Sequence, residues 1–118
     1  MQKRDFIDIC DYTAEEVKGL LQEAFAVKAD REAYSSALKG KALAMIFEKP
    51  SLRTRVTFDV GIHELGGFSV YLSPAEINLG KRESAPDVAR NLERMVHAIM
   101  VRTFSHRIAL DLARYARI

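Results

Sequence analysis

The chain has 118 residues, 48% of them hydrophobic, which suits one globular domain with a buried core and argues against disorder. Its 18 Lys and Arg against 16 Asp and Glu leave a formal charge of +2, too balanced to recruit nucleic acid by bulk charge. One cysteine, Cys10, excludes an internal disulfide and a cysteine-based zinc site.

The N-terminal stretch MQKRDFIDIC has no apolar run of signal-peptide length, and no segment approaches the ~18 apolar residues of a membrane span. The protein is therefore expected to be cytoplasmic, with no membrane partner. Thr13-Ala14-Glu15-Glu16 has the form of a capping box, with Thr13 as N-cap. Val17, Leu20, Leu21, Ala24 and Phe25 follow at helical spacing, which predicts an amphipathic helix over 14–28. The region of Gly40 is a turn. Ala42 to Phe47 is a short continuous apolar run, the mark of a strand covered on both faces.

Residues 52–65 read two ways. Val56, Phe58, Val60 and Ile62 alternate like a strand, but Phe58, Ile62 and Leu65 also share a helical stripe. Pro50-Ser51 before the segment and Gly66-Gly67 after it have the form of a helix start and stop, and favour helix. Phe68 to Leu72 predicts a second strand and Ser73 to Arg82 a loop. Ser84-Ala85-Pro86-Asp87 starts another helix, with Val88, Leu92 and Met95 on one face. Val96 to Val101 predicts a third strand, and Ile108, Leu112 and Tyr115 mark a last helix. After the first helix, strand and helix alternate, which predicts an α/β domain with a parallel sheet.

In such sheets ligands bind beyond the carboxyl ends of the strands. Two polar clusters fall there: Lys49 to Arg55 after the first strand, and Arg102-Thr103-Phe104-Ser105-His106 after the third. The loop with Asn78, Lys81 and Arg82 is a third contributor. If Ser51 opens a helix, the next backbone N–H groups have no intrahelical partner and the helix dipole adds partial positive charge, so the natural guest is an anion such as phosphate. Ser51 and Thr54 add hydroxyl donors, and Arg53 grips two phosphate oxygens with a geometry that lysine lacks. The Gly-rich GxxxxGK[ST] loop is absent. The alternative is that the arginines are solvated or paired with Glu48 or Asp59. Lys49, Arg53, Arg55, Lys81 and Arg82 make a basic patch, but the sequence interleaves no aromatic residues for base stacking, so no nucleic-acid partner is expected.

Phe47-Glu48-Lys49-Pro50-Ser51-Leu52-Arg53-Thr54-Arg55 resembles the S-T-R-T-R loop of the aspartate/ornithine carbamoyltransferases. Leu79-Gly80-Lys81-Arg82-Glu83-Ser84 resembles their second signature loop, and Met100-Val101-Arg102-Thr103-Phe104-Ser105-His106 their third. The F-E-K opening and the R-T-F-S-H segment resemble the ornithine branch. The resemblance covers nearly the whole chain.

The resemblance implies a three-layer sandwich with a central parallel sheet flanked by helices. It implies carbamoyl phosphate as ligand, bound by Ser51, Leu52, Arg53, Thr54 and Arg102, with Arg102 the catalytic residue that reaches the phosphate and carbonyl oxygens. Asn78 matches a position, often Gln, that contacts the ligand of a neighbouring subunit in the family's homotrimer. Leu52 replaces the commoner Thr, so one hydroxyl is lost. Arg55 and Glu83 are a candidate ion pair at that trimer contact. The implied reaction is carbamoyl transfer to the δ-amine of L-ornithine, giving citrulline and phosphate, in arginine biosynthesis or ornithine/citrulline metabolism. It requires no metal and no cofactor. Residues 1–118 would be the carbamoyl-phosphate-binding domain, incomplete, since the chain stops at Ile118 where a fourth strand is expected. The amino-acid-binding domain is absent, and the chain alone is expected to be inactive. Other acceptors (aspartate, putrescine, an acylated ornithine) and a non-catalytic phosphate-binding module remain as alternatives. His63, His97 and His106 are read as structural or solvent-facing.

Overall fold

Ala42–Phe47 forms the central strand, β1, and all six of its residues are buried. The computed structural model describes residues 3–79, 81 and 83–118. β1 lies between two parallel partners, β2 (Phe68–Leu72) and β3 (Ala98–Arg102), in the order β2-β1-β3. The continuous apolar run follows from this central place, because both faces of β1 are covered. Met45, Ile46 and Phe47 are fully buried, each contributing about 1.5–3 kcal/mol of apolar transfer free energy.

Among the described residues five α-helices accompany the sheet: α1 (Ala14–Ala29), α2 (Leu52–Glu64), α3 (Pro74–Ile77), α4 (Ala85–Leu92) and α5 (His106–Tyr115). Leu43, Met45 and Phe47 point to one face, where they meet Tyr71, Met100 and Ile62 of α2. Ile46 points to the other, with Val88 and Ala89 of α4 and Leu112 of α5. Helices thus cover both faces, the expected three-layer α/β arrangement. The chain moves from β1 to β2 on one side and then across to β3 on the other, so crossovers of one hand must lie on opposite faces, and they do.

Most boundaries agree with the sequence pattern. Thr13 caps α1 in a complete capping box, and α2 runs between Ser51 and the turn at Gly66. Four expectations are corrected. The 73–82 loop contains α3, which Ser73 caps with Pro74 next and Glu76 closing a capping box. β3 starts at Ala98 rather than Val96, because His97 docks on the start of β1: its N–H donates to the Ala42 carbonyl at 2.9 Å and its Nδ1 accepts the Ala42 N–H at 3.0 Å. α4 ends at Leu92, so Met95 falls off its apolar face and is 67% exposed. α1 is a helix, but its apolar stripe is not core: Leu20, Leu21 and Phe25 are exposed, since α2, α4 and α5 already occupy the sheet faces.

Candidate anion-binding site at the ends of β1 and β3

After β1 the chain turns to α2 on one face; after β3 it turns to α5 on the other. Two neighbouring strands whose continuations leave in opposite directions open a crevice at their carboxyl ends, the switch point at which open α/β sheets bind ligands. Phe47 and Arg102 are partners in the β1–β3 ladder, so their side chains share the α2 face. Arg102 is thereby aimed at the first turn of α2, and its Nη1 donates to Thr54 Oγ1 at 3.3 Å.

Ser51 is the N-cap of α2, but its hydroxyl does not cap the helix; it donates to Thr54 Oγ1 at 2.9 Å. The first bond of the helix runs from the Arg55 N–H to the Ser51 carbonyl at 3.1 Å, so the N–H groups of Leu52, Arg53 and Thr54 have no intrahelical acceptor. These groups and the dipole of a 13-residue helix point at the crevice mouth. Thr54 Oγ1 accepts twice, which leaves its own hydroxyl hydrogen to donate.

A cavity of about 830 Å³ adjoins this turn, lined at one end by Lys49, Thr54, Arg102, Thr103 and His106 and farther along by the outer edge of β3 and by Arg4 to Ile7. Lys49 Nζ lies 5.3 Å from the centre of the Phe104 ring, so the loops after β1 and β3 also meet through a cation–π contact.

The sequence candidates divide. Ser51, Thr54 and Arg102 come together. Arg53 is exposed on the first turn and has no ion pair among the described residues. Leu52 is 79% exposed and brings only its backbone N–H. Asn78 is the left-handed C-cap of α3, with φ 41°, and does not line the cavity of its own chain. The pairing of arginines with Glu48 or Asp59 is not found among the described residues: Asp59 accepts from the Ser69 hydroxyl, and the Arg55 guanidinium lies 3.6 Å over the Tyr71 ring, bracing α2 against β2. Arg82 and Gly80 of the second signature lie outside the described residues. Lys49 and His106, the outer members of the two polar clusters, also line the cavity, though neither was among the residues expected to bind the ligand and His106 was read as structural or solvent-facing.

Among the described residues no group of three or more His, Cys, Asp or Glu side chains is placed to hold a metal ion, and no helix is long and apolar enough to cross a membrane.

Residues 4–118 match the family described as aspartate/ornithine carbamoyltransferase, carbamoyl-phosphate-binding domain. The chain is 46% identical over 115 residues to the ornithine carbamoyltransferase of Deinococcus radiodurans, covering 98% of this chain and 37% of that protein. The solved ornithine carbamoyltransferase of Pyrococcus furiosus superposes with a TM-score of 0.94 at 43% identity, over 99% of this chain and 38% of that one. The catalytic subunit of the aspartate transcarbamoylase of M. jannaschii superposes with a TM-score of 0.86 at 27% identity, over 98% and 39%. The chain thus spans less than two-fifths of the length of these relatives. The chain belongs to the aspartate/ornithine carbamoyltransferase family, in the part described as the carbamoyl-phosphate-binding domain.

Proposed function

We propose that this chain binds carbamoyl phosphate in the crevice between β1 and β3 and serves carbamoyl transfer to the δ-amine of L-ornithine, as residues 1–118 of the phosphate-binding half of an ornithine carbamoyltransferase. The observation that carries the reading is the first turn of α2. Three N–H groups without an intrahelical acceptor, the Ser51 and Thr54 hydroxyls and the Arg102 guanidinium lie together there, which supports the reading. The phosphate rests on the helix N-terminus, with Arg53 gripping its oxygens from the exposed side. Arg102 reaches from the phosphate to the carbamoyl carbonyl oxygen and is the catalytic residue.

The neutral δ-amine attacks the carbamoyl carbon. A C–N bond forms, the C–O bond to phosphate breaks, and phosphate leaves with the electron pair while the amine loses a proton. Arg102 stabilises charge on the carbonyl oxygen, and Arg53 with the helix N-terminus stabilises charge on the departing phosphate. Holding two substrates in line supplies much of the remainder. The ornithine acceptor is supported by the names of the relatives with the highest identities reported above and by the R-T-F-S-H segment. Asn78, absent from its own chain's cavity, fits a homotrimer in which it reaches a neighbour's ligand. The pathway is arginine biosynthesis or ornithine/citrulline metabolism, and the compartment the cytoplasm. Leu52, in place of the family's commoner Thr, favours a second reading in which the acceptor is an acylated ornithine.

Calorimetric titration of the chain with carbamoyl phosphate, beside Arg53→Ala, tests the site. Binding that the variant loses is the expected result; a folded chain that binds nothing overturns it. No citrulline is expected from the chain alone with ornithine and carbamoyl phosphate, because the chain spans 37–38% of these relatives and the family resemblance implies an acceptor pocket in the amino-acid-binding domain. Parallel assays of a full-length form with ornithine and with acylated ornithine separate the two acceptors.

A further inference from the structure

A side chain closes the start of the β1–β3 pair. The His97 N–H donates to the Ala42 carbonyl at 2.9 Å, and the Ala42 N–H donates back to His97 Nδ1 at 3.0 Å. In a parallel pair the second of these bonds belongs to a backbone carbonyl of the neighbouring strand. Here β3 begins only at Ala98, and the chain before it bends into a turn in which the Met95 and Val96 N–H groups both donate to the Leu92 carbonyl at 2.9 Å. The imidazole takes the place of the strand carbonyl.

Ala42 is 5% exposed, so its N–H depends on this acceptor. His97 is exposed, so its ring is open to water. A ring nitrogen that accepts carries no proton, which places the single N–H of neutral His97 on Nε2. The imidazolium donates from both nitrogens and accepts at neither. Protonation therefore removes the acceptor and sets one N–H against another. The charged groups on the segments that meet there are Lys41 before β1, Glu93 and Arg94 in the turn after α4, and Arg117 and the chain-end carboxylate of Ile118 after α5. Glu93 accepts the Arg117 N–H at 2.7 Å, and no carboxylate pairs with the imidazole among the described residues. Nothing there holds an imidazolium in the position of the neutral ring.

We propose that His97 is a proton-operated clasp: as neutral imidazole it closes the start of the β1–β3 pair, and as imidazolium it releases Ala42. Only the neutral ring makes the bond. The stability it adds is complete while the ring is neutral and is lost as pH falls and the ring takes its proton. The clasp lies at the end of the pair opposite Arg102, so opening frays the strand starts and leaves the crevice end paired.

The test follows the 15N-labelled chain through titration of the imidazole, whose tautomer and protonation are read from its own nitrogen signals. Exchange of the Ala42 amide with water, corrected for the intrinsic rate, is compared with that of Ala44 in wild type, His97→Asn and His97→Ala. Neutral wild type is expected to show the Nε2–H tautomer. As the ring is protonated, exchange at Ala42 is expected to rise about tenfold relative to Ala44, the size of one lost hydrogen bond. His97→Asn offers an amide oxygen in place of Nδ1 and does not titrate, so it is expected to keep Ala42 protected throughout. His97→Ala is expected to leave Ala42 in fast exchange at every pH. An Nδ1–H tautomer in neutral wild type overturns the proposal, as does Ala42 exchange that follows Ala44 through the titration. An acid response in His97→Asn equal to that of wild type also overturns it and assigns the effect to another group, such as Glu93.

Discussion

Arg102 Nη1 lies 3.3 Å from Thr54 Oγ1 and so joins the end of β3 to the first turn of α2 across the crevice. Thr54 is the shared acceptor of this bond and of the Ser51 hydroxyl at 2.9 Å. Thr54→Val keeps the shape and removes both acceptor bonds and the donor. The expected result is carbamoyl phosphate binding weakened about tenfold or more, with the chain still folded, since Thr54 is half-buried on the rim and outside the core clusters. Thr54→Ser restores most of the affinity. Equal affinity of Thr54→Val and wild type by calorimetry would remove Thr54 from the site.

Much of this arrangement was legible in the sequence. A central parallel strand must be apolar throughout, so Ala42–Phe47 announced its own limits. The helix/strand ambiguity of 52–65 was resolved by its ends, Ser51 and Gly66, rather than by its periodicity. Other features were not readable locally. Nothing near Arg102 says that β3 lies beside β1, and the Arg102–Thr54 contact depends on that pairing. The stacking of Arg55 on Tyr71 likewise joins residues that only the α2–β2 packing brings together. α3 was signalled by Ser73-Pro74 and Glu76, a capping pattern in a segment too short for periodicity to show. The apolar stripe of α1 marks a face made for burial and does not name the surface that buries it.

Gly66 ends α2 with φ 91°, and a Cβ there would stand 2.7 Å from the Ser35 carbonyl oxygen and 3.3 Å from Ser36 Cα. Both the left-handed backbone and the close approach of another backbone require glycine. Gly66→Ala is expected to destabilise the chain by about 2–3 kcal/mol. Gly61, inside α2, has nothing within 4 Å of the same built atom. Gly61→Ala is expected to stabilise by about 0.5–1 kcal/mol through helix propensity. Urea unfolding of the two variants checks the contrast, and equal midpoints would refute the account of Gly66.

Asp8 Oδ1 accepts the Cys10 N–H at 2.9 Å, and this carboxylate, by hydrogen bonding and by charge, raises the Cys10 thiol above its ordinary pKa. Cys10 is exposed, yet it carries less thiolate at neutral pH than a free cysteine. Alkylation by iodoacetamide at pH 8 is expected to be slower than for a free cysteine and faster in Asp8→Asn. A rate that Asp8→Asn leaves unchanged would show that exposure alone governs the thiol.

Glu16 closes the capping box of α1 while ion-paired to Arg4 at 2.8 Å. The Arg4 contact, with the Thr13 N–H second, holds its carboxyl at about 2 against an ordinary 4.5. A carboxylate whose folded pKa lies below its unfolded one adds stability that is complete above the unfolded value. That stability fades as pH falls from about 4.5 to about 2, where Glu16 takes its proton in the folded chain. The pair is exposed, so salt screens it and the gain is local to the start of α1. NMR titration of the Glu16 side chain is expected to give a midpoint near the lower value at low salt. Arg4→Ala should move it toward the ordinary value, with α1's first turn fraying at higher pH. A midpoint at the ordinary carboxylate value in both chains would show that the Arg4–Glu16 pair does not form in solution.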